Sequence, residues 1–536
     1  MRYMNASLRP FRRHAPLALA CALFLAGCAV GPDYHRPDAP TAPAFKEAGG
    51  AGSAAAAADT SQWGEWKPAD PQDASERGRW WSIFGDSDLD RLMAQVQISN
   101  QNIKAAEAQY RQAQALLQSS RAGYFPTVGA SANASRSSSG NGGISGNATR
   151  IANSQSAALT ASWEPDLWGK VRRQVESSEA SAQASASTLA STLLSTQATL
   201  AQTYFLLRIT DQQKALLDHT VADYARSLQL VQNQYAAGTA QRSDVLQSQT
   251  QLKSAQAQQI DIQITRAQYE HAIAMLTGKP PASFSLPPRD FTARVPHVPL
   301  ALPSALLERR PDIGAAERQM AAANAQIGVA QAAFYPTLTL SASGGLSAAT
   351  LARWLSLPDR VWSLGPALAG TLFDGGLRSA AKAQAVAAYD QSVANYRQAV
   401  LAAFQEVEDN LAAARLLSQE ATVQNDALRS AREALSLVNN RYRAGTAALL
   451  DVLTAQTTAY NAEVTALTIY GRQLTSSVVL MRALGGGWHV EGAAPAGAGG
   501  ALPAGAAPAA ATPAWTPLAR ADQPAAQGMA QATTKE

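Results

Sequence analysis

Hydrophobic positions recur along this chain with two periods, and the switches between them mark out its elements. From Asp86 to Ala122, Leu89, Leu92, Met93, Val96, Ile103 and Ala106 fall at helical spacing, which predicts one helix. After Pro126 the period becomes two. Val128, Ala130, Ala132 and Ala134 alternate with Gly129, Ser131, Asn133 and Ser135. A Ser/Gly/Asn tract from Ser137 to Gly146 reads as a loop. Ala157, Leu159, Ala161 and Trp163 then alternate with Ala158, Thr160, Ser162 and Glu164. Leu338, Leu340 and Ala342 repeat the pattern, and Trp362, Leu364 and Leu368 continue it on a return strand. Four strands of roughly ten residues are predicted, each with one apolar and one polar face.

The helices between the strands are long. From Trp168 to Ala237 no proline intervenes, and Gly169 is the only glycine. A helix over that stretch is about 70 residues, or ~105 Å. Leu377 to Ala444 predicts a second of similar length. Both are rich in Ala and Ser, which lets neighbouring helices approach closely. Periodic helices this long point to coiled-coil packing rather than a globular core. Asp86–Ala122 and Gln241–Thr277 are expected to stack end to end and match one long helix. Pro303–Ala333 and Ala448–Leu484 are expected to match the other. Each chain then supplies four helical columns.

The two halves echo each other. Tyr124-Phe125-Pro126-Thr127-Val128 returns as Phe334-Tyr335-Pro336-Thr337-Leu338. Asn233-Gln234-Tyr235-Ala236-Ala237-Gly238-Thr239 returns as Asn440-Arg441-Tyr442-Arg443-Ala444-Gly445-Thr446, and Asp244-Val245-Leu246 as Asp451-Val452-Leu453. Three matches in one order at nearly one offset indicate an internal two-fold repeat.

The N-terminus changes the picture. Residues 1–16 carry Arg2, Arg9, Arg12 and Arg13 and no acid, Leu17–Gly27 is apolar, and Cys28 follows. This is a signal peptide, too short to span a bilayer. Leu25-Ala26-Gly27-Cys28 resembles the bacterial lipobox, in which the cysteine becomes the lipidated first residue. Ala29 rather than aspartate after it implies the outer membrane. Removing residues 1–27 takes four of the 44 basic residues and none of the 40 acidic ones. The mature chain is therefore neutral, and the basic precursor argues for no nucleic-acid partner. Cys21 leaves with the signal, so no disulfide forms within the mature chain.

Strands with one apolar and one polar face suit lipid on one side and water on the other. In hydrocarbon an open sheet edge is forbidden, and four strands cannot close a barrel. Two chains would give eight strands and almost no pore. Three give twelve strands and twelve helical columns, a ring with a lumen on the order of 25 Å. The expected fold is an α+β membrane protein: a trimeric twelve-strand β-barrel, four strands per chain, continued by a long α-helical barrel; the alternative is a soluble sandwich with long coiled-coil arms.

Several motifs carry a resemblance. They are "CAVGPDYHRP", "WWSIFGDSDLDRL" (Trp80–Leu92), "WEPDLWGKVRR" (Trp163–Arg173), "LLERRPDIGAAERQM" (Leu306–Met320), "LFDGG" (Leu372–Gly376) and the paired "YAAGTAQRSDVL" and "YRAGTAALLDVL". Together the chain resembles the outer-membrane factor family of TolC-like channels, in the lipoprotein branch typified by OprM and NodT. The resemblance implies a homotrimeric, passive exit duct of a tripartite efflux system for drugs or other small solutes. It also implies a periplasmic adaptor and an inner-membrane pump, usually of the resistance-nodulation-division class. On Cys28 it implies N-palmitoyl and S-diacylglycerol lipid. The alternatives are a protein-secretion exit channel and a non-conducting structural lipoprotein.

No enzyme chemistry is expected. His14, His35, His219, His271, His297 and His489 show no ligand spacing, and Gly278-Lys279-Pro280 is no phosphate loop. Glu308-Arg309-Arg310-Pro311-Asp312 reads as an ion-pair cluster at a helix start. The functional candidates are the two helix–helix turns. Gly238 and Gly445 fit the helix C′ position, where positive φ is cheap for glycine. Asp244 and Asp451 fall in the first turn of the next helix, where a carboxylate favours the dipole. In a trimer these turns ring one tube end. The resemblance makes that end the periplasmic aperture, with Asp244 paired to Tyr442. Where the family's best-studied member has an arginine this chain has Ala447, which leaves Arg242 or Arg443 as substitutes.

The expected organisation is a signal peptide (1–27), a lipid-anchored N-terminal segment (28–85) and a first repeat (86–277). A Pro-rich connector comes next (278–302), placed by the resemblance in a belt around the tube's middle. A second repeat (303–484) and an Ala/Gly/Pro-rich tail (485–536) complete the chain. Within the N-terminal segment, Asp38–Asp59 is expected to be a loose tether.

Overall fold

A computed structural model describes residues 30–38, 45–48, 78–140, 149–296, 309–348 and 360–486. Cys28, the loops beyond the strands and the tail after Gly486 lie outside the described residues. The first half contains α1 (Ser87–Ser99), α2 (Gln101–Ala122), β1 (Thr127–Gly140), β2 (Thr149–Trp163), α3 (Lys170–Ala236) and α4 (Arg242–Leu276). The second contains α5 (Pro311–Ala332), β3 (Thr337–Ala348), β4 (Arg360–Ala369), α6 (Leu377–Arg443) and α7 (Leu449–Ala483).

The strands form one antiparallel sheet in the order β1-β2-β3-β4. They run 14, 15, 12 and 10 residues, longer than expected in three cases. Backbone pairing carries β1 through Ser137–Gly140, which the sequence assigns to a loop. The register joins the apolar faces of all four strands. Ala130 faces Leu159, Leu159 faces Gly344 and Gly344 faces Trp362. Val128, Ala161, Ala342 and Leu364 form the adjacent row. The other face is a hydroxyl ladder: Thr127–Ser162–Ser341 and Thr160–Ser343–Ser363. Ser343 and Ser363 hydroxyls lie 2.9 Å apart. Among the described residues nothing covers the apolar face, with Trp362 81% and Leu364 77% exposed. Among the described residues β1 and β4 each keep an unpaired edge.

The same device joins sheet to long helix in both halves. Asp166 accepts from the backbone N–H groups of Val171 and Arg172 at 3.0 and 2.8 Å. Asp374 accepts from Gly376 and Arg378 at 3.0 and 3.2 Å. Each carboxylate satisfies donors that a helix start leaves unpaired. Gly169 and Gly376 precede the helices at φ +79° and +95°, a conformation that costs other residues a steric clash. The long helices α3 and α6 then run 67 residues each, ~100 Å.

The columns lie in the order α2 over α4, α3, α5 over α7, and α6. The first column departs from expectation. Asp86–Ala122 is not one helix: it breaks at Asn100, whose backbone is extended at φ −65° and ψ 127°. The Asn100 carboxamide oxygen caps α2 by accepting from Asn102 and Ile103, while its nitrogen donates to the Leu276 carbonyl at the end of α4 at 2.7 Å. One side chain thus splices two helices end to end. In the second half Arg310 donates to the Ala483 carbonyl at 2.9 Å and to Glu406 at 2.8 Å. Each composite column stacks helices of 22 and 35 residues, ~86 Å, and α1 does not belong to it. α1 instead lies beside α3, burying Leu89, Leu92, Met93 and Val96 against Trp80 and Phe205.

A belt gathers where the columns splice. Leu286, Phe291 and Ala293 of the Pro-rich connector join that apolar cluster. At its polar side Arg208, fully buried, donates to the Pro287 carbonyl at 2.9 Å and pairs with Asp88 and Asp211. Arg266 pairs with Asp211 at 2.7 Å. Tyr204 donates to Asp86 at 2.8 Å, and burial pushes its hydroxyl up to about 12, so it stays a donor.

The N-terminal segment is pinned where it is described; most of the expected tether, Asp38–Asp59, lies outside the described residues. Val30 N–H donates to the Trp168 carbonyl at the foot of the sheet. Gly31, at φ +118°, sits against Gly328, and Arg173 reaches Asp33 at 2.8 Å. Farther along, Arg36 donates to the Tyr396 hydroxyl. Phe45 is buried with Val407 and Leu411, and the Lys46 and Glu47 N–H groups donate to Glu408. The described residues thus touch α3 and α5 at the foot of the sheet and α6 farther along.

Asn100→Ala removes a cap and leaves the Leu276 carbonyl unpartnered. The expected loss is ~2–3 kcal/mol, read as a lowered unfolding midpoint of the purified protein in detergent. Asn100→Asp keeps the cap and is expected to recover about half.

Candidate functional site

The helix–helix turns lie at the end of the molecule away from the sheet, and they are built alike. Gly238 and Gly445 stand at φ +74° and +72°. Thr239 N–H donates to the Gln234 carbonyl and Thr446 N–H to the Arg441 carbonyl, both at 2.9 Å. The Thr239 and Thr446 hydroxyls bond the same two carbonyls at 3.0 and 3.1 Å. This pattern closes the C-terminal ends of α3 and α6. Asp244 and Asp451 then fold back onto the Gln241 and Ala448 N–H groups at 3.2 and 3.1 Å, capping α4 and α7. The repeated A-G-T…D-V-L motif is therefore explained first as two complete turns.

What crosses between the turns differs from the expectation. Among the described residues no hydrogen bond joins Asp244 to Tyr442. The Tyr442 hydroxyl donates instead to Gln234 Oε1 at 2.9 Å, and Asp244 caps its own helix. Arg242 and Arg443 form no ion pair among the described residues, so neither replaces the missing arginine at Ala447 within one chain. Above Tyr442 three more bonds span the hairpins. Gln251 donates to Thr457 at 3.0 Å, Tyr460 to Gln258 at 3.3 Å, and Gln213 to Thr468 at 3.3 Å. All four links are neutral. The ion pairs nearby, such as Arg432 with Glu463, stay within one hairpin. A groove of about 680 Å³ separates α3 from the α6–α7 hairpin, lined by Tyr224, Arg226, Tyr442, Arg443 and Tyr460.

The repeat exposes an asymmetry. Tyr235 is the counterpart of Tyr442, and Arg441 that of Gln234. Tyr442 is bonded within the chain, whereas Tyr235 is 48% exposed. Gln234 and Gln251 carry no distinguishing signal in the sequence, since they are neutral amides in Gln-rich helices.

Residues 92–279 and 302–486 match the family model described as outer membrane efflux protein. The chain belongs to that family. It is 34% identical over 427 residues to the pyoverdine export outer membrane protein OpmQ of Pseudomonas aeruginosa, covering 78% of this chain and 89% of the relative. It is 31% identical over 485 residues to the probable efflux pump outer membrane protein TtgC of Pseudomonas putida, covering 89% and 96%. The solved outer-membrane channel OprN superposes with a TM-score of 0.75 at 31% identity, over 86% of this chain and all of that one. The protein is thus an outer-membrane component of an efflux system, with the fold of its channels. In such an efflux protein the helical tips lie on the side away from the membrane-embedded sheet.

The neutral bonds between the two hairpins of one chain predict a specific salt response. Tyr442→Phe combined with Gln251→Ala is expected to raise single-channel conductance in planar bilayers several-fold. The ratio of variant to parent should hold between ~0.1 and ~1 M KCl, because screening weakens charge pairs and not amide bonds. An unchanged conductance would mean that these bonds do not hold the tips.

Proposed function

We propose that three copies of this chain close into one duct that carries small solutes out through the outer membrane. The observation that carries the reading is the sheet, whose register gives it one lipid-like and one water-like face and leaves two edges bare. Three sheets joined β4 to β1 make twelve strands with no edge left in hydrocarbon. The helices support the same closure. The outer columns expose Leu246, Ile260 and Ile264 on α4, and Leu416, Val423 and Leu437 on α6. Leu416, Val423 and Leu437 fall on one heptad frame, as a coiled-coil seam requires. A neighbouring copy covers both rows.

Cys28 carries the lipid anchor in this proposal. Val30, two residues on, is fixed to Trp168 at the foot of the sheet, and Trp168 stacks on Tyr335 at 4.9 Å. Aromatic rings of this kind sit at membrane interfaces, so the acyl chains start at the level of the inner leaflet.

The tips form the closed aperture, and the repeat supplies its second half. Tyr442 reaches Gln234 within a chain. By the same relation Tyr235 reaches Arg441 of the partner subunit, alternating neutral and cationic links around the ring. Asp244, Asp451, Arg242 and Arg443 then line the opening. A periplasmic adaptor and an inner-membrane pump of the resistance-nodulation-division class engage this end. Relatives are named for cargoes as unlike as pyoverdine and toluene. That spread supports a duct that leaves the choice of substrate to the pump.

Tyr235→Cys with Arg441→Cys, treated with a short bismaleimide, is expected to yield covalent dimers and trimers and to hold conductance low. Monomers alone would contradict the ring. Cys28→Ser is expected to lose incorporated palmitate while the channel still conducts; retained label would refute the anchor.

A further inference from the structure

We propose that Arg136 and Arg360 form, at each junction between chains, a binding site for the phosphate groups of outer-leaflet glycolipid. The inference rests on the closed twelve-strand barrel of the proposed function. Arg136 lies on the same face of β1 as Val128, Ala130, Ala132 and Ala134, and Arg360 on the same face of β4 as Trp362 and Leu364. The register places both faces on the lipid side. Both arginines are exposed, and among the described residues neither has a carboxylate partner.

Their heights agree. Arg136 stands nine residues above Thr127, where β1 begins, and Arg360 nine residues above Ala369, where β4 ends. Nine residues of strand reach ~30 Å, or ~23 Å along the barrel axis at the usual tilt of ~40°. The apolar band of outer-membrane barrels is about that tall. Each arginine therefore marks the outer rim of the band, opposite the end that joins the helices. Trp362, two residues below Arg360 on the same face, fits the aromatic girdle just beneath a headgroup plane.

Their strands are the two edges of the sheet. When β4 of one chain pairs with β1 of the next, the two arginines come to the same junction, three times around the barrel. A lone lipid-facing arginine at mid-membrane is costly, but at the rim it can reach the interface with little penalty. Two guanidiniums side by side need anionic company, and arginine matches phosphate oxygens with paired N–H donors. The outer leaflet offers phosphorylated glycolipid at that height.

The test uses the purified full-length channel in detergent, incubated with bisphosphorylated lipid A or with its dephosphorylated form. Native mass spectrometry reads both assembly and bound lipid. The parent trimer is expected to retain the bisphosphorylated lipid at least five-fold better than the dephosphorylated one. Arg136→Gln with Arg360→Gln is expected to abolish that preference while remaining trimeric, and Arg136→Lys with Arg360→Lys to keep part of it. A parent trimer that holds both lipids equally, or a Gln variant that keeps the preference, overturns the proposal alone. A monomeric mass for the parent overturns the closed barrel and this site with it.

Discussion

Backbone amides and carbonyls cannot be left unpaired in hydrocarbon. The cost is several kcal/mol per group, and the four-strand sheet presents two whole edges of them. That constraint turns a four-strand ribbon into part of a barrel. It also sets the rest of the assembly. Once β1 and β4 must find partners in other copies, the columns attached to them are carried into a ring. The exposed apolar rows of α4 and α6 then meet, and the turns at the far end are brought to a common axis.

The helical part answers a different need. A tube ~100 Å long cannot be held by a compact core, so its stability is distributed along seams of small residues and a few fixed splices. Asn100 and Arg310 perform that splicing with different chemistry at equivalent places, one with a carboxamide and one with a guanidinium. The belt beside them is deeply buried, with Trp80, Tyr204, Phe205 and Arg208 almost wholly covered. Below the belt the hairpins are joined by four neutral hydrogen bonds, each worth only about 1 kcal/mol. A rigid middle and lightly tied tips suit a duct that opens at one end.

Much of this was legible in the residues. The strands announced themselves because period-two alternation with Ser and Thr on one face has no helical reading. The long helices came from the absence of Pro and Gly, and their ends lie within two residues of those expected. The break at Asn100 was hidden, because neither Pro nor Gly marks it and the apolar spacing runs on through Ile103 and Ala106. The course of the N-terminal segment was hidden for the opposite reason: a Pro-rich stretch without period gives no sign of what it packs on. At the tips, the glycines and aspartates were readable as caps. The cross-links were not, since Gln234 and Gln251 look like every other amide on a wet helix.

The assembly turns on which strands pair with β1 and β4. Channels assembled from equal parts of 15N-labelled and 13C-labelled chains give magnetisation transfer between isotopes only across contacts between chains. A barrel shared between chains gives such transfer between β1 and β4 and none within the β2–β3 pairing. Sheets with no transfer between chains at either edge would contradict it.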